Sequence, residues 1–89
     1  MDKVYIVQVL NYKHNYYEEA NSPEIYVYKN KSDALDKLLS CFKEKLQYCQ
    51  KKFNLNISKD IAKMQGENEF VIRNHNINYT GRIFTRDLI

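Results

Sequence analysis

Three arginines near the end of the chain are the side chains best suited to binding an anion. Arg73, Arg82 and Arg86 fall within the last 17 residues, and Phe84 lies between two of them. A guanidinium group offers a planar set of donors that fits a phosphate, and an adjacent aromatic ring can stack on a base. The pattern predicts either a nucleic-acid or nucleotide site at these four residues, or a solvated face with a weak Glu69–Arg82 pair.

A second candidate is the polar, tyrosine-rich segment that begins at residue 12. Tyrosine covers a large contact area at a small cost in side-chain entropy, which makes it common in protein-binding loops. We therefore predict a protein-binding surface at Tyr12, His14, Tyr16 and Tyr17. The alternative is that one or two of these tyrosines cover the edge of the core.

No cluster of residues in the sequence indicates catalysis, a metal or a cofactor. Cys41 and Cys49 are eight residues apart in a predicted helix, which separates their Cα atoms by about 12 Å. A disulfide needs less than about 7 Å, so we expect free thiols. The histidines His14 and His75 stand outside any zinc-ligand spacing, and glycine-rich phosphate loops and nucleophile motifs are missing. We predict a non-catalytic protein without a cofactor.

The length and composition favour one small folded domain over residues 1–89. The net charge of +3 is too small to indicate nucleic acid by itself. No apolar run approaches the ~18 residues of a membrane span, and no secretion signal begins the sequence, so we expect a cytoplasmic protein. Asn, Ile, Lys and Tyr, which have A/T-rich codons, are abundant. This bias favours a viral, phage or bacterial source.

A long amphipathic helix is the clearest element. Its apolar residues recur at a spacing typical of a 3.6-residue helix, and they are Leu35, Leu38, Leu39, Phe42, Leu46, Cys49 and Phe53. Ser32 is the predicted N-cap. Asn54 is the predicted terminator, because asparagine tolerates the left-handed conformation that ends many helices. Five lysines (Lys37, Lys43, Lys45, Lys51 and Lys52) predict a solvated outer face.

Strands are predicted on both sides of this helix. The apolar run within residues 3–12 is typical of a central strand, and a second strand, Glu24–Lys29, follows Pro23. After the helix, Ser58 and Gly66 bracket a predicted short helix over Lys59–Gln65. The last two predicted strands, Glu69–Arg73 and Ile77–Phe84, form a hairpin around a two-residue loop at residues 75–76.

Together these elements predict an α+β two-layer sandwich of order β-β-α-β-β. A four-stranded antiparallel sheet carries the long helix on one face, with the short helix as an addition. The hairpin register pairs Ile72 with Tyr79, and Gly81 predicts either a bulge or a close backbone approach. The predicted function is protein binding in an accessory, host-modulating role, with a homodimer as one outcome of its apolar first strand. The alternative is nucleic-acid or nucleotide binding by the arginines.

Overall fold

The fold is a single antiparallel sheet with one long helix across it. The computed structural model describes residues 3–13, 23–57, 59–74 and 77–87. Its elements in chain order are β1 (Lys3–Lys13), β2 (Glu24–Tyr28), α1 (Lys31–Lys52), β3 (Ile61–Gln65), β4 (Glu69–Arg73) and β5 (Ile77–Asp87). The strand order in the sheet is β2-β1-β5-β4-β3, and α1 packs on β2, β1, β5 and β4. The predicted α+β class is confirmed.

The sheet has five strands where the sequence predicted four, because the predicted short helix over Lys59–Gln65 is wrong. Ile61–Gln65 instead pairs antiparallel with β4 as an edge strand. Its half-buried Ala62 and Met64 pack on the core. Gly66 has a φ of +68°, a conformation that occurs both at the end of a helix and in a turn between two strands. Here it lies in the turn between β3 and β4. In so short a segment, pairing with a neighbouring strand outweighs helix propensity.

The helix α1 begins two residues earlier than predicted. Asn30, in extended conformation, is the N-cap residue, and Ser32 already lies inside the helix. The side-chain amide of Asn30 donates to Asp33 Oδ2 at 3.3 Å. The predicted terminator is confirmed, because Asn54 has a φ of +53°, in the left-handed region.

The buried stripe of α1 is rotated relative to the predicted one. The fully buried side chains are Ala34, Leu38, Cys41 and Cys49. Leu39 belonged to the predicted stripe but is 41% exposed. The small residues Ala34 and Cys41 are 0% and 2% exposed. The larger residues of the predicted stripe, including Phe42 and Leu46, pack half-buried at one side.

The two longest strands form the centre of the sheet. β1 pairs with β2 on one side and with β5 on the other, so its predicted central position is confirmed. The ladder between β1 and β5 joins residues 3–13 to residues 77–87. Strands of the two ends of the chain are therefore neighbours in the middle of the sheet.

The β4–β5 hairpin has the predicted register, with Ile72 opposite Tyr79 and Glu69 opposite Arg82. Its predicted core side chains are buried or half-buried, and they are Phe70, Ile72, Ile77, Tyr79 and Ile83. The predicted close approach at Gly81 is also confirmed. A Cβ atom at this position would overlap the ring of Phe70, so only glycine leaves room for that ring.

Asn74 ties the hairpin to the end of α1. Its side-chain amide nitrogen donates to the Phe53 carbonyl at 3.0 Å, and its Oδ1 accepts from the Ile77 amide at 3.1 Å. The side chain is buried. Asn74 therefore closes the hairpin and fills an acceptor at the helix C-terminus, where carbonyls lack intrahelical partners.

Candidate functional site

The two faces of the sheet differ in what covers them. Side chains alternate along each strand, and cross-strand partners share a face. One face packs on α1. On the opposite side, which we call the open face, no helix or strand of the described residues is packed. The open face carries the following side chains of β1 to β5: Val4, Ile6, Gln8, Leu10, Ile25, Val27, Ile61, Lys63, Gln65, Glu69, Val71, Arg73, Asn78, Thr80, Arg82, Phe84 and Arg86.

One half of the open face is aliphatic. Its aliphatic side chains lie on the adjacent strands β1 and β2, and we call them the aliphatic strip: Val4, Ile6, Leu10, Ile25 and Val27. Gln8 is the one polar side chain among them, between Ile6 and Leu10 and opposite Ile25. Ile25 and Val27 are 57% and 60% exposed, more than the large hydrophobic residues of the helix. The three strip residues of β1 are half-buried, so the apolar surface that the fold leaves most exposed is on the edge strand β2.

The structure brings three of the four predicted nucleic-acid-binding residues together. The guanidinium carbon of Arg82 lies 4.7 Å from the ring centroid of Phe84, and that of Arg86 lies 5.7 Å from it. We call Arg82, Phe84 and Arg86 the arginine cluster. The ring and the two cations attract each other through the quadrupole of the ring. Both guanidinium groups are held near one point on the exposed face, beside the aliphatic strip.

Arg73 shares the open face but stands apart from the arginine cluster. Its cross-strand partner is Asn78, four residues before Arg82 on β5, which corresponds to about 14 Å along the strand. The four predicted residues therefore lie on one face without converging on one point.

The charge on the open face is unbalanced. Four described side chains are cationic, Lys63, Arg73, Arg82 and Arg86, and Glu69 is the acidic one. Glu69 is opposite Arg82, as predicted, yet no ion pair within 4 Å joins the two; the ion pair found in the described part of the chain is Lys45–Glu24. Arg86 Nη1 donates to the Thr85 carbonyl at 3.4 Å, and within the described residues no carboxylate forms an ion pair with either arginine of the cluster.

The predicted protein-binding residues give no geometry to assess. Tyr12 lies in β1 opposite Asn78, and its side chain is outside the described part of the structure. His14, Tyr16 and Tyr17 lie outside the described residues, as does His75. The tyrosine surface stays a prediction.

On the helix-covered face, an ion pair that the sequence did not indicate links β2 to α1. Lys45 Nζ lies 2.7 Å from Glu24 Oε2, and the Tyr26 hydroxyl donates to Glu24 Oε1 at 2.9 Å. Burial alone would raise the pKa of Glu24, but the hydrogen bonds from Lys45 and Tyr26 outweigh burial and lower it. The bond to Glu24, with burial, raises the pKa of Tyr26 to about 12.

These contacts correct the prediction of a fully solvated lysine face on α1. Lys45 is largely buried in its ion pair, and Lys37 Nζ lies 4.2 Å from the ring centroid of Tyr26. Lys43, Lys51 and Lys52 are exposed, as predicted. The two inward lysines join the edge strand β2 to the helix.

The two cysteines are free and buried, as the predicted helix spacing required. Burial raises the pKa of the Cys49 thiol to about 11, and it also raises the pKa of Cys41. Both thiols are protonated at neutral pH, and the thiolate is the reactive form. Neither cysteine is suited to act as a nucleophile.

Other concave or ligating features are few in the part of the chain that the structure describes. A groove of about 210 Å³ lies beside the start of α1 and is lined by Lys3, Tyr5, Lys31, Asn68, Ile83 and Thr85. Within the described ranges, no group of His, Cys, Asp and Glu side chains is placed to hold a metal ion. The groove and the arginine cluster are on different faces of the sheet.

Comparisons with known proteins give no match: no family model, no curated protein and no solved structure is similar to this chain. The one helix of the described residues is too polar to cross a membrane. The function must therefore be argued from the geometry of the chain itself.

Proposed function

We propose that the chain is a non-catalytic binding module that contacts a protein partner through its open face. One observation carries the proposal: Ile25 and Val27 of the aliphatic strip are exposed on a sheet whose opposite face packs against the helix. Contiguous apolar surface rimmed by polar groups is typical of protein interaction sites. The arginine cluster supplies such a rim along one side of the strip.

The chemistry of the rim also fits a protein interface. Arginine and aromatic residues are enriched among the side chains that contribute most to protein–protein affinity. In the arginine cluster, the ring of Phe84 holds both guanidinium groups in place. A donor group positioned before binding loses less side-chain entropy when the partner arrives.

The test is a matched pair of charge substitutions on the two layers. Val27→Asp places a carboxylate in the aliphatic strip, and Leu39→Asp places one on the exposed side of α1. A partner is captured with the wild-type chain, purified, and titrated against each variant by calorimetry. We expect Val27→Asp to weaken binding at least ~10-fold and Leu39→Asp to leave it within ~2-fold.

Circular dichroism and thermal unfolding of both variants serve as the control for folding. If a folded Val27→Asp variant binds as tightly as wild type, the open face is not the contact surface and the proposal is wrong. If Leu39→Asp weakens binding more than Val27→Asp does, the contact lies on the helix layer instead.

A second candidate function is nucleic-acid or nucleotide binding, because Arg82 and Arg86 are exposed and converge on one point. This function predicts affinity for a single-stranded oligonucleotide that falls with salt, with a log–log slope of about −0.7 per phosphate contacted. Arg82→Ala with Arg86→Ala should reduce that slope. Salt-independent binding, or binding that the double variant retains, contradicts it.

The biological setting of this module stays a prediction from composition. A role as a viral or phage accessory protein that acts on a host rests on the A/T-biased residue usage. The base composition of the gene and its neighbours tests that idea independently of the binding experiment.

A further inference from the structure

Resting on the proposed function of the open face, we infer that its partner is an acidic amphipathic helix. The apolar stripe of such a helix would lie on the aliphatic strip, and carboxylates along one flank would reach the arginine cluster.

The open face is divided lengthwise, and this division decides the chemistry of the partner. The aliphatic strip occupies β1 and β2, whereas the arginine cluster lies on β5, the neighbour of β1. Phe84 is opposite Ile6, and Arg86 is opposite Val4. A complementary surface must therefore carry an apolar row with anionic groups directly beside it.

The dimensions fit a helix better than an extended strand. Two adjacent strands are about 4.8 Å apart, and a helix with its side chains is about 10 Å wide. One helix thus covers β1 and β2, and its flanking side chains lie over β5. From Val4 to Leu10 the strip is about 20 Å long, which corresponds to roughly 13 helical residues. An extended strand would add to a sheet edge by backbone hydrogen bonds and leave the open face uncovered.

A second copy of this chain does not supply the required charge. In a two-fold pair the same surface meets itself, so cations of one copy would meet the cations or the aliphatic strip of the other. The described residues of the open face include four cationic side chains and a single carboxylate, Glu69. An uncompensated cation at an interface loses its hydration and gains no partner.

A nucleic acid fits only half of the open face. Phosphates would suit the arginines, but the five side chains of the aliphatic strip offer no hydrogen-bond donor, and Gln8 is the one amide among them. The ring of Phe84 already has two guanidinium groups over it. A base could stack on this ring only by displacing one of them. Charge complementarity and the adjacent apolar surface together favour a carboxylate-bearing protein segment.

The experiment uses two designed helical peptides with one apolar stripe and opposite flanks. The first has glutamate beside the stripe, and the second has lysine at every one of those positions. A twelve-nucleotide single-stranded RNA is the third probe. Binding of each fluorescein-labelled probe to the full chain is measured by anisotropy. We expect the glutamate peptide to bind at least ~10-fold more tightly than the lysine peptide.

Charge reversal at the arginine cluster sharpens the result. Arg82→Glu with Arg86→Glu should reverse the preference between the two peptides. The matched control is Lys43→Glu with Lys51→Glu, which makes the same charge change at exposed positions of α1. This control should keep the wild-type preference for the glutamate peptide over the lysine peptide. Its lower net charge weakens only the long-range attraction between the chain and the glutamate peptide.

The possible results separate this inference from the proposed function. Equal affinity for both peptides, or no binding of either, overturns the acidic helix, while the Val27→Asp test still decides whether the open face binds a protein. RNA binding that depends on the two arginines, without peptide binding, assigns the face to nucleic acid. A stable dimer that Val27→Asp dissociates assigns it to a second copy and also overturns the inference.

Discussion

The two faces of the sheet use similar residues for opposite purposes. The helix-covered face contains Phe70, whose ring is 1% exposed and packs over Gly81 and against Phe42. The open face contains Phe84, whose half-buried ring is held between arginines. The two phenylalanines lie on neighbouring strands of one sheet. Residue type alone therefore does not tell a core position from a position on the open face.

What separates the two faces is whether the surrounding backbone makes room for the side chain. Around Phe70 the sheet supplies a glycine, and α1 supplies the ring of Phe42, whose centroid is 5.4 Å from that of Phe70. Around Phe84 the neighbours on the same strand are long cations that extend from the surface. The first arrangement stabilises the fold, and the second keeps an aromatic ring near solvent with charge beside it.

The largest expected effect comes from breaking the covered face. Phe70→Ala should lower the free energy of unfolding by about 3–5 kcal/mol, because it removes a fully buried ring and leaves a cavity. Phe84→Ala should cost only about 1 kcal/mol, since its ring is half-buried. Urea denaturation of both variants measures the difference. Equal losses would mean that the open face contributes to stability as the core does.

The next effect concerns how the hairpin is joined to the helix. Asn74→Ala removes two side-chain hydrogen bonds at a buried position, and we expect a loss of about 2 kcal/mol. Asn74→Asp keeps the acceptor for the Ile77 amide but cannot donate to the Phe53 carbonyl. It should recover little, because a carboxylate would be buried beside that carbonyl. Thermal unfolding of both variants tests this role; an unchanged melting temperature for Asn74→Ala would contradict it.

A smaller effect on stability is expected at Glu24, on the helix-covered side of β2. Glu24→Gln should lower stability at pH 7 by about 0.5–1 kcal/mol, because the ion pair with Lys45 is partly solvated. The pKa of Glu24 is lowered by folding, so its contribution is present above the unfolded pKa and is lost as the pH falls through the folded value.

The pH dependence supplies the control for that prediction. The stability difference between wild type and Glu24→Gln should stay constant from pH 7 to about 5 and shrink below about 4.5. Burial alone would lower the pKa of Lys45, but the hydrogen bond and the charge of Glu24 outweigh burial and raise it. The stability that Lys45 contributes is therefore lost when the pH rises through that raised pKa. A difference that does not change with acid would show that the ion pair adds nothing.

The smallest stability effect is expected on the exposed side of β2. Ile25→Thr and Val27→Thr keep a β-branched side chain and should change stability by no more than about 0.5 kcal/mol. On the proposed function, both substitutions weaken partner binding. Denaturation and calorimetry on the same samples check the two halves of this expectation. A loss of stability without a loss of binding would make β2 a purely structural edge.

Much of the fold could be predicted because its strongest signals are local. The period of the long helix, the hairpin turn and the glycine opposite Phe70 each depend on neighbouring residues or on a single strand pair. The hairpin register was predicted correctly, and with it the shared face of Arg73, Arg82, Phe84 and Arg86. The convergence of Arg82 and Arg86 on Phe84 follows from their alternation along one strand.

The remaining features depend on contacts between distant segments. Ile61–Gln65 becomes a strand because β4 offers it a free edge, which no local pattern reveals. The Glu24–Lys45 pair joins residues of different elements, and lysines on a predicted helix look alike in sequence. The aliphatic strip could not be predicted for a similar reason. Whether an apolar residue of β2 is buried or exposed depends on which face of the sheet the helix covers.

The central ladder has a consequence for how the chain folds. β1 forms its longest pairing with β5, and most of the chain lies between them. During synthesis at about 5–20 residues per second, β1 is made several seconds before β5 and has only β2 as a sheet neighbour until β5 follows. Contacts between such distant segments also slow folding, because a large loop must close before they form. The nascent chain therefore carries an apolar strand that lacks its longest pairing for several seconds.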